Sequence, residues 1–456
     1  AWNFDKCSFS SKTTCGNANP HWFYDFVHQL PKEETFRGIV VGCNKGYEAV
    51  ELLRIASPPS DSLYDLEKWK EEFSKVEGVS KVLGEVVIDL SIECPADGKA
   101  GSNTGASGKK VHVYCIDGMP KTVDQLEKTK SDIFELLTTI PNIPDNEVPE
   151  GFTIEDNIEV YRSNEKIEPD ENLKTHWDLA KEYDIIDFEL GSKITGSGFP
   201  VYKGKGAKLQ RGLINYFLDK NTSAGYTEFQ VPHLVNSDSA FATGQLPDKD
   251  GQMYHVNEDN FYLIPTAEVP LTNIYRDKIL SSDEIPVLLT GYTPCFRREA
   301  GSYGAEVRGL NRLHQFDKVE IVRLEHPDNS SQALLDMKEH VKEILGELEI
   351  DFRILNLCAG DLGFTSSITY DFEIFSKGQK KWLEISSVSN FKSYQSNRLN
   401  LKFKNKEGKN ELLHTLNGSS LALPRVMAGL IENNQTNEGI QVPKVLVPYT
   451  GFDLIN

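Results

Sequence analysis

The sequence predicts an α+β chain in which antiparallel strands flanked by helices carry the chemistry, preceded by a smaller, incomplete α/β segment; three observations predict it. Residues 292–320, YTPCFRREAGSYGAEVRGLNRLHQFDKVE, are two apolar-aromatic runs around a polar, Gly-rich loop. That is the pattern of a long antiparallel hairpin whose strands project alternate side chains into one cleft. Residues 415–435, TLNGSSLALPRVMAGLIENNQ, read as a Gly-Ser turn leading into an amphipathic helix. Residues 35–128 contain a β-branched strand, a glycine turn at Gly42 and Gly46, a helical pattern, a second strand ending at Asp117 and a second helix. Periodicity does not supply the order of strands in the sheet.

The hairpin has the side chains to grip a nucleotide. Arg297 offers a planar fork that matches a carboxylate or phosphate bidentately, Phe316 an apolar face for a purine, and Glu299 and Glu320 acceptors for amino groups. Read alone, an Arg-x-Glu pair is more often part of an exposed, salt-bridged hairpin. Further along the chain, Arg425 falls near the start of the helix in 415–435, where it and the positive end of the helix dipole make a site for a terminal phosphate. The strand-like run WLEISSVSNFKSYQSNR, 382–398, places Glu384 and Ser387 where oxygen ligands can share a divalent metal. In FYLIPTAEVPLTN, 261–273, Thr266 and Glu268 are two apart, on the same face of an extended segment, and suit an ammonium group.

These segments together resemble the class II aminoacyl-tRNA synthetases, and in detail the bacterial type that charges tRNA with serine. The resemblance runs from about residue 130 to the C-terminus and includes IPNIPDNEVPEG (140–151), GYTEFQVPHLV (225–235) and GQLP (244–247). It implies an antiparallel sheet flanked by helices over 152–456, a linker over 131–151, and a homodimer interface built on the Pro232 segment. It also implies that ATP and L-serine are substrates, with Mg²⁺ as cofactor and tRNA(Ser) as acceptor. Arg297 is expected to bridge the serine carboxylate and the α-phosphate, Arg425 to hold the γ-phosphate, and Glu384 with Ser387 to hold Mg²⁺. Phe316 is expected to stack on adenine while Glu299 accepts from its amino group. Arg298, Ile385 and Ser386 complete the expected ATP site. Thr266, Ala267 and Glu268 are assigned to the serine ammonium side, and Glu320 and Ser419 to its hydroxyl. A pocket built around a hydrogen-bonded hydroxyl rejects the deoxy analogue by roughly 10⁴-fold, because buried partners are left unpaired. The competing reading of Glu320 is an ion pair with Lys318 or Arg323. Arg308, in the hairpin loop, is expected at ATP or the tRNA end, and the basic stretches 203–211 and 398–409 are candidates for phosphate contacts.

Residues 1–130 depart from the family, whose members carry two long helices in a coiled coil at this position. No heptad pattern persists here; 61–76 and 121–137 read as single amphipathic helices and 93–110 as a loop. In GCNKGY and MPKTV this half resembles the front of an FkbM-type S-adenosylmethionine-dependent methyltransferase, a half Rossmann fold. The remaining strands of that family are missing, and half an open sheet cannot bury both faces. Binding of S-adenosylmethionine is therefore not expected. The missing arm motivates one alternative function, an adenylating or adenylate-binding relative that no longer charges tRNA. A second alternative is transfer of the activated amino acid to a carrier-protein thiol.

Composition agrees with two to three domains of an ordinary water-facing protein: 456 residues, 39% hydrophobic and 26% charged. No run is long and apolar enough to span a bilayer. A net charge of −19 and a pI near 5.1 argue against non-specific affinity for nucleic acid while leaving room for a local positive track. Seven cysteines without a Cys-x-x-Cys pair favour free thiols over a disulfide framework or structural zinc, although Cys7 and Cys15 can pair in an oxidising compartment. The expected place of action is the cytoplasm, with an organelle as the alternative. A start at Ala1 reads as a processed or incomplete N-terminus.

Overall fold

Alternation of apolar residues builds an eight-stranded sheet in the C-terminal part of the chain. The computed structural model describes residues 36–44, 47–54, 82–89, 110–116, 137–165, 172–299 and 308–456. It divides into two units, one of residues 3–140 and the other essentially residues 141–456.

In the N-terminal unit, β1 (Phe36–Asn44), β2 (Tyr47–Arg54), β3 (Val82–Asp89) and β4 (Lys110–Ile116) form a sheet of order β2-β1-β4-β3. The two expected strands are neighbours and parallel, with Ile39 opposite Val113. The helix expected after the glycine turn is not there: its place is taken by β2, antiparallel to β1 with Asn44 opposite Tyr47. Only Lys45 and Gly46 separate the two strands in sequence, a spacing that favours a hairpin, and a strand partner so close overrides a weak helical propensity. The helices expected over 61–76 and 121–137 lie, but for Leu137, outside the described residues. The loop 93–109, Asp117, Cys7 and Cys15 also lie outside them.

The C-terminal unit contains strands β5 (Ile158–Arg162), β6 (Thr227–Glu228), β7 (Val287–Phe296), β8 (Gln315–Glu325), β9 (Phe352–Asn356), β10 (Ile368–Ser376), β11 (Lys381–Lys392) and β12 (His414–Ala422). Their order is β5-β9-β10-β11-β12-β8-β7-β6, antiparallel except for the short parallel pair β7–β6. The helices used below are α1 (His176–Glu182), α2 (Gly204–Ser223), α3 (Glu268–Asn273), α4 (Ser330–Glu347), α5 (Tyr394–Arg398) and α6 (Leu423–Asn433).

Helix α4 shows why this layer forms. Ala333, Leu334, Met337, Val341, Ile344 and Leu345 recur at helical spacing and are all buried, giving one apolar stripe to the sheet. With Leu213 and Phe217 of α2 and Val426 and Met427 of α6, they form the main core against Val319 and Ile321 of β8 and Phe372 and Ile374 of β10. Each such side chain contributes about 1.5–3 kcal/mol by leaving water. The alternate residues of β8 point the other way. Phe316, Lys318 and Glu320 line a cleft, and Val322 and Leu324 continue into a second core with Leu271, Leu399 and Leu401.

Three local expectations are corrected. Asn417, Gly418 and Ser419 lie inside β12, not in a turn. A Cβ on Gly418 would stand 3.0 Å from Cγ2 of Val388, so glycine there serves close strand packing. The run 382–398 is strand only as far as Lys392 and then turns into α5. Finally, the end of the expected linker is fastened to the C-terminal unit. Asn142 and Asp145 donate backbone hydrogen bonds to Phe364 and Ser367, and Asn142 Nδ2 donates to the carbonyls of Thr365 and Phe391.

Candidate active site

The open face of the sheet holds a cleft of about 1050 Å³. Its walls include Thr266, Glu268, Arg297, Glu299, Phe316, Glu320, Glu384, Ile385, Ser386, Ser387, Ser419 and Arg425, drawn from segments distant in sequence. Two expected residues are elsewhere. Ala267 is buried in the second core beside Leu271, and Arg298 is exposed at the end of β7, where the alternation that aims Arg297 inward turns its neighbour out.

One end of the cleft is a buried polar pocket. Thr266 Oγ1 donates to Glu320 Oε2 at 3.2 Å and accepts from the backbone N–H of Glu268 at 3.2 Å. The pair converges because Thr266 Oγ1 takes the N–H of Glu268 across Ala267, whose backbone is helical, not extended as the two-residue spacing had implied. Glu320 lies opposite Ser419 across β8 and β12. It is also ion-paired to Lys318 at 2.8 Å, while Arg323 pairs with Glu325 instead. The ion pair with Lys318 is therefore present, and Glu320 also lines the cleft. Gln395 Nε2, from α5, donates to Glu268 Oε1 at 2.6 Å, and its own Oε1 accepts from Thr415 Oγ1. Burial, reinforced by the charge of Glu320, pushes the Glu268 carboxyl up to about 7, against the opposing pull of Gln395, Lys318 and Asn417.

Beyond the pocket, the guanidinium of Arg297 lies 5.3 Å over the ring of Phe316, and its Nε reaches the carbonyl of Pro265 at 3.4 Å. Glu299, at a positive φ of 49°, turns back to meet Arg312 at 3.1 Å. Arg308 is exposed with its guanidinium 4.7 Å over Trp177.

On β11, Glu384 and Ser387 are three residues apart, which in a regular strand would put them on opposite faces. A bulge resolves this. Glu384 pairs with Glu373 and Ser387 with Asp371, so that Ile385 and Ser386 together oppose Phe372 and both polar residues return to the cleft. Ser386 Oγ donates to the Ser419 carbonyl at 2.6 Å, tying the bulge to β12. Burial and the charge of Glu384 raise the Asp371 carboxyl well above its ordinary value, with the Ser387 hydroxyl pulling the other way. Asp371 Oδ1 is buried without a hydrogen-bond partner. Arg425 sits in the first turn of α6, behind Pro424, with its Nε donating to the Asn311 carbonyl at 3.0 Å and an Nη to the Glu384 carbonyl at 2.7 Å. A cation at a helix N-terminus opposes the helix dipole, so an anion in front of it relieves both.

Lys318, Asp371, Gln395 and Asn417 line or support this cleft and were absent from the expected set. Lys318 had a signal, since it alternates with Phe316 and Glu320. Asp371 had a weaker one, in the alternation of ITYDFEIF.

Known proteins are similar to this chain in sequence and fold. Residues 252–434 match the tRNA synthetase class II core domain (G, H, P, S and T). The serine–tRNA ligase of Salinibacter ruber is 51% identical over 320 residues, 70% of this chain and 75% of that relative. The seryl-tRNA synthetase of Pyrococcus horikoshii, solved in complex with ATP, superposes with a TM-score of 0.70 at 32% identity, covering 74% of this chain and 80% of that one. The cytoplasmic serine–tRNA ligase of Naegleria fowleri, solved with AMP, gives a TM-score of 0.69 at 26% identity over 74% and 81% of the two chains. With the class II sheet, the polar pocket and this degree of kinship in hand, the chain belongs to the serine–tRNA ligase family of class II aminoacyl-tRNA synthetases and acts as a ligase of serine to tRNA.

Proposed function

We propose that the cleft joins the carboxylate of L-serine to the α-phosphorus of ATP and then presents the adenylate to the terminal ribose of tRNA(Ser). The observation that carries this reading is the convergence, in one cavity, of a buried pocket of carboxylates and hydroxyls, a guanidinium over an aromatic ring, and a second arginine at a helix N-terminus. Glu268 and Thr266 receive the ammonium, and Glu320 with Ser419 the hydroxyl. Phe316 offers its ring to adenine, with Glu299 as the acceptor for the amino group. Arg297, over the Phe316 ring, holds the two anions together. A carboxylate oxygen of serine attacks the α-phosphorus as the bond to the β-phosphate oxygen breaks, and pyrophosphate leaves. No side chain has to act as a nucleophile. Arg297 and Arg425 supply fixed positive charge where negative charge spreads, which needs no reorganisation during the step. In the second step a ribose hydroxyl attacks the seryl carbonyl and AMP leaves.

The oxygen donors of β11 fit Mg²⁺. Among the described residues no three His, Cys, Asp or Glu side chains form a metal cage, and Mg²⁺ needs none when one or two carboxylates and substrate phosphates complete its shell. Glu384 and Ser387 would hold it, with the unpartnered Asp371 Oδ1 beside them. When bound, the ion withdraws charge from the phosphate oxygens.

The same reading assigns catalysis to residues 152–456 and no chemistry to 1–130, with neither the FkbM-like activity nor binding of S-adenosylmethionine. A homodimer accords with the exposed segment 227–234, which leaves β6 at the sheet edge and Leu234 in solvent. Arg308 is free of the cleft wall to meet tRNA. Among the described residues no helix is long and apolar enough to cross a membrane, and a cytoplasmic place of action belongs to this reading. Serine-dependent pyrophosphate exchange tests the core of it. Arg297→Ala is expected to lower exchange by about 10²–10³-fold; near-parental exchange would remove Arg297 from this role.

A further inference from the structure

The return arm of the hairpin, residues 308–313, is held by a buried polar network that the roles above do not use. His176 of α1 and Glu432 of the last turn of α6 are both fully buried. The backbone N–H and Nδ1–H of His176 donate to Glu432 Oε1 at 2.9 and 2.7 Å, Gln379 Nε2 donates to the same oxygen at 3.1 Å, and Ser376 Oγ donates to Oε2. Burial on its own would raise the Glu432 carboxyl, but His176 and the Ser376 hydroxyl outweigh it and hold the group below its ordinary range.

The imidazole faces the arm with its other nitrogen. Nε2 accepts from the Leu310 N–H at 2.8 Å, so one ring nitrogen faces the arm and the other faces Glu432. Gly309 passes so close that a Cβ there would stand 2.2 Å from Nε2, and its φ of +68° favours glycine independently. Gln379 Oε1 accepts from Asn311 Nδ2 at 2.8 Å, and the Asn311 carbonyl accepts from Arg425 Nε at 3.0 Å. Trp177, next to His176, carries the guanidinium of Arg308. Apolar side chains would hold α1 against α6 equally well. What they would not supply is a directed acceptor at one point of the arm.

We propose that His176, oriented by Glu432, is a positioning residue for ATP: through Leu310 and Asn311 it sets the hairpin arm that abuts Arg425 and leads into Phe316. The inference rests on the assignment of Arg425 and Phe316 to ATP.

Substitutions at His176 separate positioning from mere packing. His176→Asn keeps a donor near Nδ1 and removes the acceptor for Leu310, whereas His176→Gln restores an acceptor near Nε2. In serine-dependent pyrophosphate exchange by the full chain, His176→Asn is expected to raise the KM for ATP roughly tenfold and leave the KM for serine within about twofold. His176→Gln is expected to recover most of the loss. Gln379→Ala, at a half-buried position, is expected to move the ATP KM in the same direction through Asn311, and it decides the matter if His176→Asn does not fold. Equal rises in both KM values, or a lower Tm with both KM values unchanged, overturn the proposal. Arg425→Ala is the control. If it leaves the ATP KM at the parental value, the assignment of the ATP site fails; if it raises that KM while the His176 and Gln379 variants do not, only the positioning role fails.

Discussion

Glu268 is a buried acid whose charge the pocket can switch. Its ordinary value is 4.5 and burial beside Glu320 lifts it to about 7, so near neutral pH it is roughly half ionised. An ammonium arriving next to Glu268 and Glu320 favours the ionised form. Serine binding at pH 7 is therefore expected to release roughly half a proton. Calorimetry in buffers of different ionisation heat reads that release directly, and it should vanish in Glu268→Gln. The serine KM should fall as pH rises through about 7, because the carboxylate and not the acid attracts the ammonium. Proton uptake, or a serine KM indifferent to pH across this window, would contradict the assignment. The sign for stability is opposite. Between 4.5 and about 7 the folded, empty enzyme holds more protons at Glu268 than the unfolded chain, so this group's contribution is lost as pH rises across that interval.

At the scale of elements, the site is made by two irregularities in otherwise regular strands. The bulge at Ile385 and Ser386 turns Glu384 and Ser387 to one face, and the β8–β12 register shifts between Lys318 and Glu320, where Glu320 comes opposite Ser419. Gly418, one residue before Ser419, lets β12 approach Val388 of β11. Gly418→Val is expected to destabilise the protein by roughly 1–3 kcal/mol through overpacking. The measurement is a lower denaturant midpoint at unchanged slope; an unaltered midpoint would show that β11 yields freely. The hairpin β7–β8 was legible because two apolar-aromatic runs bracket a polar, Gly-rich loop that begins with an Arg-x-Glu pair. The bulge was not, since LEISSVS contains no glycine or proline to mark it and its effect appears only against the register of β10. Gly418 was misread as a turn for a related reason: the bulk that demands it belongs to Val388, thirty residues earlier. Gln395 left no local trace, because its bond to Glu268 spans 127 positions. In the N-terminal unit, β2 was read as helix because its own residues tolerate one, whereas the neighbouring strand decides for sheet.

At the scale of the molecule, the division of labour follows from where the cleft obtains its walls. Every described residue lining it lies between Ile154 and Arg425, and the buried residues of the hydrophobic cores around it run from Leu179 to Ile455. Adenylate formation involves only small molecules inside the cleft, whereas transfer to tRNA recruits a long polyanion whose affinity is summed over many phosphate contacts. On a chain of net charge −19, those contacts must come from local positive tracks, so losing any part of the docking surface weakens the second step first. Residues 141–456 expressed alone are therefore expected to fold, with pyrophosphate exchange within about threefold of the full chain, because one contiguous unit carries the sheet and its cores. Charging of tRNA(Ser) is expected to fall by more than exchange, and the gap to widen with salt. Assaying both reactions on the fragment and the full chain decides it. Equal loss of exchange and charging would mean that the N-terminal unit supports the cleft itself, and intact charging would mean that it has no part in holding tRNA.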